Sequence, residues 1–209
     1  PDVTYGHALN GFAGSLSPAA LARLGADPEV VLIEPDRIVT AFDQTLPTGV
    51  NRVDGEESAT AAIDGVDANA GLGLNIDIAV IDTGIDVDHP DLRVVGGADF
   101  SRNAFVCKSK SFDDGNGHGS HVAGTAAARD NGFGVVGVAP GARLWAVKVL
   151  TDSGSGYTSC VIKGVDWITA NASTIEVANM SLGGCNSSSL CIAIAKSAAK
   201  GVVYAVAAG

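Results

Sequence analysis

Residues 76–84 read Ile-Asp-Ile-Ala-Val-Ile-Asp-Thr-Gly, and this stretch constrains the fold more than any other. A short apolar run rich in Ile and Val suits a strand buried on both faces, as in a parallel sheet. It ends abruptly in Asp82-Thr83-Gly84, a carboxylate followed by turn residues. In open α/β sheets, ligands bind in the crevice beyond the carboxyl ends of the strands. Asp82 is therefore a site candidate by position, although an Asp there also reads as the cap of the next turn.

The strand is the first of an alternating series. A helix is expected from about His118 to Arg129, a strand over Arg143–Leu150 and a helix over Tyr157–Asn171. A strand over Ile175–Leu182, a helix over Ser188–Lys200 and a strand over Val202–Ala207 complete it. Alternation of this kind means a doubly wound parallel sheet built by right-handed crossovers, an α/β fold. Three helical patterns of this length exclude an all-β sandwich. Residues 1–42 form a separate unit, with a strand or bent hairpin over Tyr5–Leu16 and a helix opened by Ser17-Pro18. Val30–Ile33 reads as a further strand, broken by Glu34-Pro35-Asp36. Residues 43–75 read as a linker and polar entry segment.

Composition bounds the function. Hydrophobic residues make up 46% of the 209, and the net charge is −10 with a pI near 4.6. That balance describes a packed soluble protein and argues against a nucleic-acid partner. No apolar run reaches the length of a membrane span. The chain begins mid-pattern at Pro1, so a leader upstream is compatible with it. Of the four cysteines, Cys185 and Cys191 flank a five-residue segment and are read as one loop-closing pair, leaving Cys107 with Cys160. Three connectivities are open, and an even count tilts toward an oxidising compartment.

His118 lies in Asp114-Gly-Asn-Gly-His-Gly-Ser-His-Val-Ala-Gly124. A His at the start of a buried helix, facing the mouth of a sheet, can act as general base if a carboxylate fixes its tautomer. Alone, His118 or His121 reads first as a satisfied core histidine, and their spacing without an intervening Glu is a weak metal signal.

Taken together, Asp82-Thr-Gly-Ile-Asp86, His89-Pro-Asp-Leu92, His118-Gly-Ser-His-Val-Ala-Gly124 and Asn179-Met-Ser-Leu-Gly-Gly184 resemble the subtilisin-like serine proteases, or subtilases. Ser120 stands where that family usually has Thr. The first 42 residues resemble the C-terminal part of the family's inhibitory propeptide, in Ala8-Leu-Asn-Gly-Phe12 and Val31-Leu-Ile-Glu-Pro-Asp36. The resemblance implies a small α+β, ferredoxin-like propeptide fragment over residues 1–42, then the N-terminal half of a catalytic domain over 43–209. It implies autocleavage after Phe42, before Asp43, and a taste for large apolar residues at P1.

By the same resemblance, Asp82 orients His118, which takes the proton of a nucleophilic serine. Gly154-Ser155-Gly156 supplies a strand edge for an extended peptide, and Ser181-Leu182-Gly183 lines the other side of the cleft. A Ca²⁺ site is implied at Gln44, Asp91 and Asn131 with carbonyls of Arg129, Phe133 and Val135, an oxygen-only set suited to a hard cation. Polypeptide substrates, the propeptide as intramolecular inhibitor, a monomeric state and secretion follow as expectations. The family's oxyanion Asn and Gly-Thr-Ser-Met-Ala nucleophile motif do not occur in the 209 residues. The chain is thus expected to be a piece of a precursor, inactive alone. A non-catalytic remnant that binds peptides or a protease is the alternative. A nucleotide-binding α/β protein is disfavoured, because Asp-Thr-Gly-Ile-Asp replaces a phosphate-cradling loop.

Overall fold

The structure is a computed structural model that describes residues 1–41, 50–54, 58–63, 74–101, 107–109, 111–131, 134–184 and 186–208, with side chains of 38–41 and 51 left aside. Its elements are β1 (Val3–Tyr5), β2 (Gly11–Ala13), α1 (Pro18–Gly25), β3 (Ile38–Ala41), a 3₁₀ turn (Val50–Val53), β4 (Asp77–Asp82), β5 (Val94–Asp99) and α2 (His118–Ala127). There follow β6 (Arg143–Lys148), β7 (Ser155–Tyr157), α3 (Thr158–Ala170), β8 (Val177–Met180), β9 (Leu182–Gly184), α4 (Ser188–Ala198) and β10 (Val203–Val206).

The central sheet runs β10-β8-β4-β6-β5, every pair parallel. Its middle strand is β4, buried at all six positions. Alternate side chains explain why both faces are covered. Ala79 and Ile81 face Val161, Val165 and Ile168 of α3, with Ala193 of α4, whereas Ile78 and Val80 face Val122, Ala123 and Ala127 of α2. The doubly wound α/β architecture expected from the alternation is what the chain adopts.

β5 escaped the sequence reading, which left loops between Asp82 and His118. Its sequence, VVGGAD, carries neither alternation nor β-branched density at its centre. The glycines are there because the backbones touch: a Cβ on Gly97 would stand 2.2 Å from the Ala146 carbonyl oxygen, and one on Gly96 2.6 Å from the Trp145 ring. A register shift between Val94 and Gly96 accompanies that approach.

In the N-terminal unit, β1 and β2 form an antiparallel hairpin, and α1 begins as its sequence requires. Ser17 Oγ accepts from the Ala20 N–H at 3.2 Å, with Pro18 in the first turn. The strand expected over Val30–Ile33 is absent. Val31 is 90% exposed, and the segment has no ladder partner among the described residues. Its apolar residues reflect neither a sheet nor a core. The segment instead carries Glu34 and Asp36 toward the ends of two helices.

Cys107 and Cys160 are disulfide-bonded, tying the loop after β5 to the first turn of α3. The second expected pair is not formed: Cys191 is a free, exposed thiol on α4, and Cys185 lies outside the described residues.

Candidate active site

Asp82 ends β4 at the sheet's carboxyl edge and is fully buried. His118 opens α2, and its Nδ1 lies 2.8 Å from Asp82 Oδ1 and 3.0 Å from Oδ2. An ionised carboxylate only accepts, so Nδ1 carries the donated proton and Nε2 keeps a lone pair. That is the tautomer a general base requires. Asp82 Oδ1 also accepts from the Thr83 N–H at 2.6 Å. Two sequence-predicted residues, 36 positions apart, are thereby brought into direct contact in a site where the His side chain is 10% exposed.

The pair is framed by Asp114. Its carboxylate accepts from Thr83 Oγ1 at 2.9 Å, from the N–H groups of Asn116, Gly117 and Ser120 at 2.9–3.0 Å, and from Ser120 Oγ at 2.6 Å. Burial pushes the Asp114 carboxyl up, but the bonds from Ser120, Gly117 and Asn116 outweigh it and hold it below its ordinary value. Ser120, the departure from the family's usual Thr, keeps the hydroxyl this role needs, since its Oγ also accepts from the Asp86 N–H at 2.9 Å. Thr83 Oγ1 accepts in turn from the Gly119 N–H at 2.9 Å. Gly119 cannot carry a side chain here, because a Cβ would stand 2.0 Å from the Gly84 carbonyl oxygen.

A three-stranded sheet, β7-β3-β9, lies beside the main one. β3 runs antiparallel between the two edges, with Val39 opposite Gly156 of β7 and Gly184 of β9, and Ala41 opposite Leu182. Residues of the N-terminal unit thus fill an extended-peptide groove. Gly154, Ser155 and Gly156 form one rim, where Gly154 adopts φ +77° in the turn closed by its N–H to the Thr151 carbonyl at 2.8 Å. Leu182 and Gly183 form the other rim. Ser181 precedes β9 and donates to Asn179 Oδ1 at 2.9 Å. Phe42 and Asp43 lie outside the described residues.

Sequence reasoning missed the carboxylates that dock the N-terminal unit. Asp36 accepts from the Ser159 N–H at 2.8 Å and from Ser159 Oγ, at the start of α3. Glu34 accepts from Ser187 Oγ at 2.5 Å, from the Ser188 N–H at 3.1 Å and from Ser189 Oγ, at the start of α4. Neither helix has an acid in its own first turn, so both N-terminal dipoles are met by acids from elsewhere. Burial raises the Glu34 carboxyl, but the hydroxyls of Ser187 and Ser189 with backbone N–H groups hold it below its ordinary range. In the reverse direction, Asp166 of α3 accepts from the N–H groups of His7 at 2.6 Å and Ala8 at 2.8 Å. Glu34-Pro35-Asp36 reads locally as a strand breaker. The signal that could have found it is two nearby acids set against two helices that carry no acid in their own first turns.

For the expected cation, Asp91 is 1% exposed, and its carboxylate accepts from Asn131 Nδ2 at 3.0 Å and from the Val135 N–H at 3.2 Å. The Arg129 N–H donates to the Asp91 carbonyl at 3.0 Å. Gln44 and Phe133 lie outside the described residues. Among the described residues no group of three or more His, Cys, Asp and Glu converges. A buried carboxylate with neutral partners, beside an amide whose oxygen and nitrogen exchange by a flip, fits a cation held by one acid and several neutral oxygens.

A subtilase family model matches residues 73–209, and a peptidase inhibitor I9 model matches residues 2–42. Subtilisin E of Bacillus subtilis (strain 168) is 41% identical over 202 residues, covering 96% of this chain and 49% of the relative. An alkaline protease of Shouchella clausii is 44% identical over 196 residues, covering 93% and 47%. Subtilisin DY of Bacillus licheniformis is 46% identical over 167 residues, covering 79% and 56%. The chain spans about half the length of the curated relatives it matches. With a hydrogen-bonded Asp–His pair at the head of a doubly wound sheet and a family match over most of its length, this chain belongs to the subtilases.

Proposed function

We propose that the chain is part of the precursor of a secreted, monomeric, calcium-binding serine endopeptidase that processes its own prosegment. The Asp82–His118 contact at the carboxyl end of β4 is the observation that carries this reading. His118 takes the proton of a serine supplied by the remainder of a subtilase domain and returns it to the leaving amine. Asp82 holds the Nδ1 tautomer and stabilises the imidazolium. Residues 1–209 alone, with no Gly-Thr-Ser-Met-Ala motif, are inactive.

Residues 1–42 act as prosegment and inhibitor, and 43–209 belong to the catalytic domain. The antiparallel pairing of β3 with β7 and β9 supports a product-like pose in which Gly154–Gly156 and Ser181–Gly183 hold an extended peptide. That pose carries the chain from Ala41 toward Phe42 in the S1 pocket, with the Phe42–Asp43 bond cut. Polypeptides with large apolar P1 residues are the substrates. A structural Ca²⁺ held by Gln44, Asp91, Asn131 and the carbonyls of Arg129, Phe133 and Val135 braces the end of α2, and its role is stability.

Peptide hydrolysis by the full-length protein, compared with its His118→Ala variant, tests this. Hydrolysis that falls to background in the variant supports the reading. Equal hydrolysis in both, or none in either, overturns it in favour of another base or of a binding protein.

A further inference from the structure

Lys148 ends β6, in register with Asp82 on one side and Asp99 on the other. Its side chain is 6% exposed, an environment in which an ammonium needs partners to offset lost hydration. Nζ donates to the Thr83 carbonyl oxygen and, at 2.7 Å, to Asp152 Oδ1. The Asp152 carbonyl accepts from Asn116 Nδ2 at 2.9 Å, two residues before His118. Asp152 also packs on Gly115, where a Cβ would stand 2.5 Å from Cγ. One ammonium therefore joins the turn after Asp82, the Thr151–Gly154 turn that leads into β7, and, through Asp152, the loop that delivers His118. Thr83 bonds Asp82 through its N–H and Lys148 through its carbonyl, so a single residue links the cation to the buried carboxylate.

We infer that Lys148 is a positioning residue for the Asp82–His118 pair: its ammonium pins the peptide after Asp82 against the rim of the peptide groove, and its charge opposes protonation of His118. This rests on the reading of His118 as the base. Among the described residues, the charged groups tied to the pair by hydrogen bonds are Asp114, through Thr83 Oγ1, Lys148, through the Thr83 carbonyl, and Asp152, through Lys148; Asp99 of β5 lies beside Lys148 in register, and His121 lies one turn on along α2. Lys148 is the cation among those with its ammonium bonded to the Asp82 turn. Removing it favours imidazolium, whereas removing the Asp152 charge disfavours it. The two substitutions must therefore shift the titration in opposite directions. A purely structural role has no reason to produce that pair of signs.

The test uses the full-length protein expressed as its precursor, with Lys148→Met, Lys148→Arg and Asp152→Asn followed after maturation and His118→Ala as the uncut control. His118 titration is followed by NMR, and kcat and KM are followed against pH. K148M moves the midpoint and the acid limb upward by about half a pH unit, the order expected when one like charge is removed under strong screening. It lowers kcat roughly tenfold with little change in KM, as expected for a displaced base. K148R brings the midpoint back, and D152N moves it downward by a smaller amount, because Asp152 is 66% exposed. An unmoved midpoint in K148M, or a shift of the same sign in D152N, overturns the proposal. Should K148M fail to fold, the D152N sign decides. Full activity in H118A would sink the catalytic reading instead, so the two failures are distinguishable.

Discussion

Replacing Asp166 by Ala should detach the N-terminal unit while leaving the catalytic fold in place. Asp166 sits on α3, 1% exposed, and its contacts to the N-terminal unit are made to main-chain groups. The N–H groups of His7 and Ala8 are well made, whereas that of Gly6, at 3.5 Å, is too long to count for much. Hydrogen bonds to a charged acceptor contribute about 1.5–3 kcal/mol each. Ala8 is fully buried and loses its partner outright, whereas His7 is exposed and water replaces part of its bond. The sum is about 3 kcal/mol, or roughly 150-fold in affinity. Asp166→Asn, which keeps one acceptor oxygen, should cost about 1.4 kcal/mol, near tenfold. The assay is inhibition of the mature full-length enzyme by a peptide of residues 1–42, with hydrolysis of a small peptide substrate as control. Inhibition by this peptide within threefold of wild type in the Ala variant would refute the assignment of Asp166 as a docking acceptor.

The same carboxylates set a pH window. Burial pushes Asp166 up, but the Ala8 and His7 N–H groups outweigh it and hold its docked-state carboxyl below the ordinary value, as the serines do for Glu34. A group lowered on docking contributes fully above its free-state pKa, about 4 for these residues, and loses that contribution as pH falls through the docked value. Binding of residues 1–42 to the matured protein, read directly rather than through hydrolysis, should thus be flat above about pH 5 and weaken below about pH 4; a flat profile down to pH 3 would contradict this. Gly119→Ala forces a methyl group onto the Gly84 carbonyl and should cost about 3 kcal/mol, lowering Tm by roughly 6–10 °C and separating His118 from Asp82. Breaking the Cys107–Cys160 bond frees a loop of sequence separation 53, worth about 4 kcal/mol by chain entropy. Thermal unfolding with and without reductant checks it, and a change under 1 kcal/mol would speak against that bond as a major staple. Chelation should lower Tm reversibly, by the equivalent of about 2.7 kcal/mol if metal stood at 100 times its dissociation constant. Asp91→Asn should abolish that response, and an unaltered response would remove Asp91 from the metal site.

The framework was legible because its signals are local. β4 is a continuous apolar run ended by an acid, α1 starts at a Ser-Pro pair, and the helices that carry the main core have 3.6-residue periodicity. The Asp82–His118 pair was legible only because four short motifs together resemble one family; alone, Asp82 reads equally as a turn cap and His118 as a core histidine. What failed depends on distant partners. β5 is a strand because Trp145 and Ala146 press against its glycines, and nothing within VVGGAD says so. Val30–Ile33 has strand composition, yet no strand lies beside it among the described residues. Glu34 and Asp36 meet helix ends more than 120 positions away, and Asp166 meets main-chain N–H groups even farther behind it. Lys148 looks like an ordinary strand residue until Thr83 and Asp152 are placed around its ammonium.

The most direct test of the central claim is the N-terminus of the matured protein, read by mass spectrometry for wild type and His118→Ala expressed as full-length precursors. The account predicts that wild type begins at Asp43, released from Phe42, and that the variant remains uncut with residues 1–42 attached. Cleavage at the same bond in both proteins, or a wild-type terminus elsewhere, would contradict a cleft in which Asp82 and His118 process the strand that fills it.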